Sequence, residues 1–94
     1  MTIELRTVVT RAPGLLCAPV DDEIVILNPG RDNYVGLNAV GRAVWDLIEQ
    51  PCPVAEVCER LSRDFDATPE QVTVDVLPFL AEIVAEGIVR VAEP

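Results

Sequence analysis

The spacing of apolar positions changes midway along this chain, from a period near two to a period near three and a half. Residues 3–9 read as extended, with Ile3 and Leu5 set against Glu4 and Arg6. Pro13-Gly14 breaks that run. Leu15, Leu16, Cys17 and Ala18 form a short strand, stopped by Pro19 and by the acids Asp21-Asp22-Glu23. Ile24-Val25-Ile26-Leu27 is the clearest strand, because β-branched side chains fit a pleated surface. Asn28-Pro29-Gly30 then reads as a type II turn, with proline at the second position and glycine taking positive φ at the third. Tyr34-Val35-Gly36-Leu37 is the returning strand, so residues 24–37 form a hairpin with a loop of about five residues.

From Asn38, a good N-cap, the pattern turns helical. Helix one is expected over 39–50, with Val40, Val44, Leu47 and Ile48 on one side and Trp45 beside them; Pro51 ends it. Helix two is expected over 53–64, with Pro53 in its first turn and Val54, Val57, Cys58 and Leu61 as its apolar stripe. Glu56-Arg60 and Glu59-Arg63 lie one turn apart on its wet side. Thr68-Pro69-Glu70-Gln71 opens helix three with a capping box, and Gly87 closes it after Glu86. Ile88-Val89-Arg90-Val91 is a last extended piece. Strands followed by helices define an α+β domain, a three-stranded antiparallel sheet followed by three helices, and the first eleven residues read as an extra strand or arm.

Helix three is more apolar than packing requires. Val72, Val76, Phe79, Leu80 and Ile83 form one stripe, and Val74, Leu77, Ala81 and Val84 form a second. Burying both in a small domain is difficult, so either the helix is sandwiched between the sheet and helix one, or apolar surface is left for a partner. Pro78 removes the N–H owed to the Val74 carbonyl and is expected to kink the helix near 74–78. Apart from Gly36, the strand 34–37 carries no lysine, proline or bulge signal to guard an edge. An unguarded edge beside an apolar helix accepts an extended peptide, unless the strand is central or covered by the chain's own termini.

Composition narrows the chemistry. The 94 residues hold 16 acids and seven bases, for a net charge of −9, and make one domain, residues 1–94. All seven bases are arginine, and histidine is absent, which removes His-based acid–base catalysis, His metal ligation and Ser-His or Cys-His pairs. The negative charge disfavours phosphate backbones and anionic membrane surfaces, so no nucleic acid and no membrane partner is expected. No run is long enough to span a bilayer, and the N-terminus lacks a secretory pattern. Cys17, Cys52 and Cys58 are odd in number with no C-x-x-C, which reads as reduced packing thiols in a cytoplasmic protein, with no metal and no cofactor. Asp21-Asp22-Glu23 lacks the alternation of a calcium loop and reads as a solvated turn.

The chain resembles the PqqD family, the RiPP recognition elements, and within it the stand-alone leader-binding proteins of lasso-peptide biosynthesis. The residues that carry the likeness are Ala12-Pro13-Gly14, Asp21-Asp22, Ile24-Val25-Ile26-Leu27, Tyr34-Val35-Gly36-Leu37-Asn38, Gly41 and Trp45. They continue with Val57, Leu61, Thr68-Pro69-Glu70-Gln71, Asp75-Val76, Phe79-Leu80, Ile83 and Gly87-Ile88-Val89. Pro78 departs from the pattern. The resemblance implies a winged helix-turn-helix-like fold and no catalysis. It implies binding of a precursor leader peptide as an added strand, for presentation to a cysteine-type leader peptidase and an ATP-dependent, asparagine-synthetase-like cyclase. Leaders of that class resemble Tyr-x-x-Pro. Carried onto this chain, Asn33, Tyr34, Val35, Gly36 and Leu37 would supply the strand, with Val35, Val72, Val76 and Phe79 as the apolar wall and Asp75 at its polar border. Other readings are a winged-helix DNA-binding regulator, a PqqD-type chaperone for a radical enzyme, and a small enzyme subunit with a Cys nucleophile.

Overall fold

The computed structural model describes residues 3–92. The elements run β1 (Val8–Arg11), β2 (Leu16–Val20), β3 (Glu23–Asn28), β4 (Asn33–Leu37), α1 (Ala39–Leu47), β5 (Cys52–Pro53), α2 (Val54–Asp64), α3 (Pro69–Ala85) and β6 (Val89–Val91). The α+β reading holds: a three-stranded antiparallel sheet, ordered β2-β3-β4, precedes three helices. A second small sheet, ordered β5-β1-β6, joins both ends of the chain to the segment between α1 and α2.

Several boundaries differ from the sequence pattern, each for a local reason. The first strand starts at Val8, not Ile3, because residues 4–7 close a turn in which Thr7 N–H donates to the Glu4 carbonyl at 3.1 Å and Glu4 N–H to Thr7 Oγ1 at 2.9 Å. This arm caps α2: the N–H groups of Val54 and Ala55 donate to the carbonyls of Thr7 and Leu5. Pro53 therefore stands at the N-cap and not inside the first turn, and its missing side-chain acceptor is replaced by distant backbone. Strand β2 passes through Pro19 because it pairs on one side only, where a missing N–H breaks no ladder.

The β3–β4 loop has four residues, not five, and Gly30 does not take positive φ. Successive bonds from Arg31 N–H to the Asn28 carbonyl and from Asp32 N–H to the Pro29 carbonyl wind the loop, and Asp32, at φ 54°, closes it. Aspartate tolerates the left-handed region well enough to take that role. Helix α1 stops at Leu47, short of Gln50. Its last carbonyls are drawn to β1: Arg11 donates from Nε and Nη2 to the Trp45 carbonyl at 3.0 and 2.8 Å, and Thr10 Oγ1 donates to that of Ile48. The Arg11 guanidinium also lies 4.5 Å from the Trp45 ring centroid.

Helix α3 matches its signals. Thr68 and Gln71 form the capping box, Pro69 opens the helix, and Gly87 sits at φ 79° beyond its end. The helix continues through Pro78 to Ala85. Pro78 and Val74 are both exposed, so the proline that owes the Val74 carbonyl an N–H stands on the solvent side of the helix. The core joins Ile24, Ile26 and Leu37 of the sheet to Val44, Trp45, Leu61, Val76, Leu80, Ile83 and Ile88. Among the described residues no helix is long and apolar enough to cross a membrane, and no cluster of Cys, Asp and Glu is arranged to hold a metal.

Candidate peptide-binding groove

Strand β4 pairs with β3 through Asn28↔Asn33, Leu27↔Tyr34, Ile26↔Val35, Val25↔Gly36 and Ile24↔Leu37. Among the described residues its other edge has no strand partner. Alternation sends Val35 and Leu37 inward and leaves Tyr34 and Gly36 outside; Tyr34 is 74% exposed. The unpaired edge faces α3. A hollow of about 360 Å³ opens between them, lined by Gly36, Leu37, Asn38, Val40, Gly41, Val44, Asp75, Val76 and Phe79.

The shape of this hollow follows from three local arrangements. Asn38 Oδ1 accepts the Gly41 N–H at 2.9 Å, which starts α1 immediately after the strand. Gly41 has no Cβ, and one placed there would lie 3.1 Å from Leu37 Cβ and 3.2 Å from Phe79 Cζ. The absent methyl is what lets the strand end, α1 and the Phe79 ring meet. At the hairpin end the cleft is shut. Arg31 Nη1 donates to the Ala85 carbonyl at 2.7 Å, Asn28 Nδ2 to that of Gly87, and Asn33 Nδ2 to Glu86 Oε2 at 3.0 Å. These donors also satisfy the last carbonyls of α3, and the Arg31 charge suits the negative end of its dipole.

The residues picked from sequence divide into groups. Asn33, Tyr34, Val35, Gly36 and Leu37 make up the edge strand. Asp75, Val76 and Phe79 come together with Gly36 and Leu37 around the hollow. Val72 does not reach it. At 8% exposure it is a core residue that borders a smaller, greasier hollow of about 130 Å³ with Val40, Leu61, Phe65, Ala67, Asp75 and Val76. Val76, at 3%, shows little surface to either hollow. Tyr34 turns away from the core onto the outer face of the sheet. Gly41, Val40, Asn38 and Arg31 were missed as groove residues. The N-cap signal at Asn38 marked the tight strand-to-helix junction, but nothing local in sequence marks Gly41 as a contact point or Arg31 as a clasp.

Burial shields two of the three thiols. Cys17 is exposed and Cys52 and Cys58 are buried. Burial, then the Glu56 carboxylate that accepts from Sγ at 3.1 Å, pushes the Cys52 thiol up to about 11. A thiol held protonated is no nucleophile.

An α+β domain with a free sheet edge beside an apolar-walled cleft is the architecture of a peptide-recognition module. Residues 23–89, more than two thirds of the chain, match the family Coenzyme PQQ synthesis protein D (PqqD), and the chain belongs to that family. Two solved structures share the fold. "TbiB1 in Complex with the TbiA(beta) Leader Peptide" is 24% identical with a TM-score of 0.80, over 90% of this chain and 99% of that one. The solution structure of the PqqD truncation of Methylobacterium extorquens PqqCD, described as a functional and stand-alone RiPP recognition element, is 21% identical with a TM-score of 0.78, over 94% of each chain. No curated protein matches the chain.

Proposed function

We propose that this chain is a non-catalytic adaptor that binds the leader segment of a ribosomally made precursor peptide as an additional strand on β4 and delivers it to a leader peptidase and an ATP-dependent cyclase of lasso-peptide assembly. The observation that carries the reading is the unpaired β4 edge lying against a hollow walled by Leu37, Gly41 and Phe79. Main-chain bonds along such an edge supply affinity, and an apolar hollow selects the side chain that fills it. Membership of the PqqD family and likeness to a fold solved with a leader peptide in place support the same assignment.

The arginines favour it over DNA binding. Arg11, Arg31 and Arg42 are spent on backbone carbonyls, and Arg6 and Arg63 sit in ion pairs with Glu4 and Glu59. That leaves Arg60 on α2, grouped with Glu56, Glu59 and Asp64, and Arg90 on β6, which together form no basic stripe for a phosphate backbone. The test is calorimetry with the synthetic leader of the precursor encoded beside this chain, repeated with a leader N-methylated at alternate residues. Saturable one-to-one binding that one of the two N-methyl phases abolishes is expected. Equal affinity for both phases and the unmodified leader overturns strand addition. Processing assays with the neighbouring enzymes then separate a peptidase partner from a radical enzyme.

A further inference from the structure

We propose that the small apolar hollow at the corner of α1, α2 and α3 is a second seat for the bound peptide, and that it takes a branched aliphatic side chain two residues away from the one that fills the groove beside Phe79. The inference rests on the leader-binding reading for the identity of the occupant and adds a requirement on its sequence. The hollow measures about 130 Å³. Its floor is made by Leu61, Val72 and Val76, all buried, and its rim by Val40 and Phe65, each 44% exposed. Ala67 is the reason the space exists. It stands one residue before Thr68, the N-cap of α3, and lines the hollow together with Val72, the fourth residue of the helix. Helix starts commonly press a large apolar side chain from the first of these positions against the second. Alanine leaves the place of that side chain unfilled.

Continuity with the groove selects the occupant. Val40, Asp75 and Val76 line both hollows. Phe79 and Val76 bound the groove and Val76 and Val72 the corner, so the two are offset along α3 by one helical turn, ~5.4 Å. Two residues of extended chain cover ~6.6 Å and put their side chains on the same side. A guest strand on β4 that runs on past Leu37 therefore reaches both hollows with alternate residues. Beyond Leu37 it has no ladder to pair with, because Asn38 turns the chain into α1. Every second N–H of such a guest points away from β4, toward α3. Asp75 is exposed on the shared rim, and among the described residues its carboxylate is in no ion pair, so it is the acceptor at hand. Size selects the side chain. A cavity of ~150 Å³ holds a benzene ring, so the corner suits leucine, isoleucine or valine better than an aromatic residue. A second copy of a chain at −9 is opposed by its own charge.

The experiment uses the whole chain and the synthetic leader of the precursor encoded beside it, scanned with alanine, with affinity read by calorimetry. Ala67→Leu plugs the corner with the kind of side chain a helix start ordinarily carries, and it touches neither β4 nor Phe79. It is expected to weaken leader binding about tenfold, the worth of roughly 60 Å² of apolar surface. One aliphatic leader residue changed to alanine is expected to cost the parent chain as much and to cost Ala67→Leu nothing further. That residue is expected two positions from the one whose effect disappears in Phe79→Ala. Phe65→Ala, which removes a wall of the corner, is expected to couple to the same leader residue as Ala67→Leu. Leader affinity within about twofold of the parent in both corner variants overturns the proposal. So do losses that add at every leader position, or a parent homodimer in sedimentation velocity that Ala67→Leu dissociates. Circular dichroism checks that Ala67→Leu is folded, and Phe65→Ala decides the matter if it is not. A leader that the parent chain fails to bind refutes the adaptor reading, and this inference falls with it; a leader that couples to Phe79 and not to the corner leaves that reading standing and refutes the second seat alone.

Discussion

Replacing Phe79 with alanine removes the one aromatic wall of the groove. The ring is half-buried, packed against the core and close to Gly41. Truncating a fully buried phenylalanine costs about 3–5 kcal/mol, so a half-buried one should cost about 2 kcal/mol of folding stability. The cost to peptide binding is a separate quantity. A side chain seated in the hollow and the ring face it covers together remove about 80 Å² of apolar surface from water, worth about 2 kcal/mol at roughly 25 cal/mol per Å². The Phe79→Ala chain should therefore unfold at lower urea concentration and bind the leader about 30-fold more weakly. Urea titration followed by circular dichroism gives the first number, and calorimetry well below the unfolding midpoint gives the second. Val74→Ala, on the opposite and exposed side of α3, is the control and should change neither. A folded Phe79→Ala chain with parent-like affinity would show that the peptide does not use this hollow. Val76→Asp is a poor probe of the same wall, because Val76 is buried and a charge there destabilises the fold directly.

Four other outcomes follow from contacts elsewhere in the chain. Gly87→Ala should destabilise by about 1–2 kcal/mol by urea titration, because φ is 79° there and a Cβ would lie 2.8 Å from Arg31 Nε. Thr68→Ala should cost about 1 kcal/mol by the same measurement, since it removes one half of the capping box of α3. Under native conditions at pH 8, a thiol reagent should modify Cys17 promptly and leave Cys52 unreacted. The Cys52 thiol is raised from 9.0 to about 11 in the folded chain, so the stabilisation it contributes is complete below pH 9 and is lost as pH climbs through 11. A pH–stability curve that is flat over that span for the parent, or no flatter for Cys52→Ala, would contradict this.

The helices and the central hairpin were legible because their signals are local. Asn38, Thr68-Pro69-Glu70-Gln71 and Gly87 announce helix ends by chemistry that acts within one turn. The strand of the site and its unguarded edge were legible for the same reason. What escaped depends on distant partners. Arg11 ends α1 early from a position 34 residues upstream in sequence, and the β5-β1-β6 sheet joins segments that no periodicity connects. Val72, Val76 and Phe79 share a stripe, yet only packing decides that Val72 lies away from the hollow, that Val76 borders it while almost wholly buried, and that Phe79 forms its wall. The second stripe of α3 divides: Val74, 71% exposed, and Ala81 face solvent, whereas Leu77 and Val84 pack against the core.

The clasp between the hairpin loop and the end of α3 makes the cleft a blind alley. Two extended chains can slide past each other by two residues and keep nearly all their main-chain bonds, so an open edge alone leaves alignment loose. Here Arg31, Asn28 and Asn33 wall off one end and the hollow beside Phe79 lies toward the other. Any guest strand meets a stop at one extremity and a socket at the opposite one. The separation of those two fixed points, and not the strength of the pairing, sets which residue of the guest leaves the cleft first.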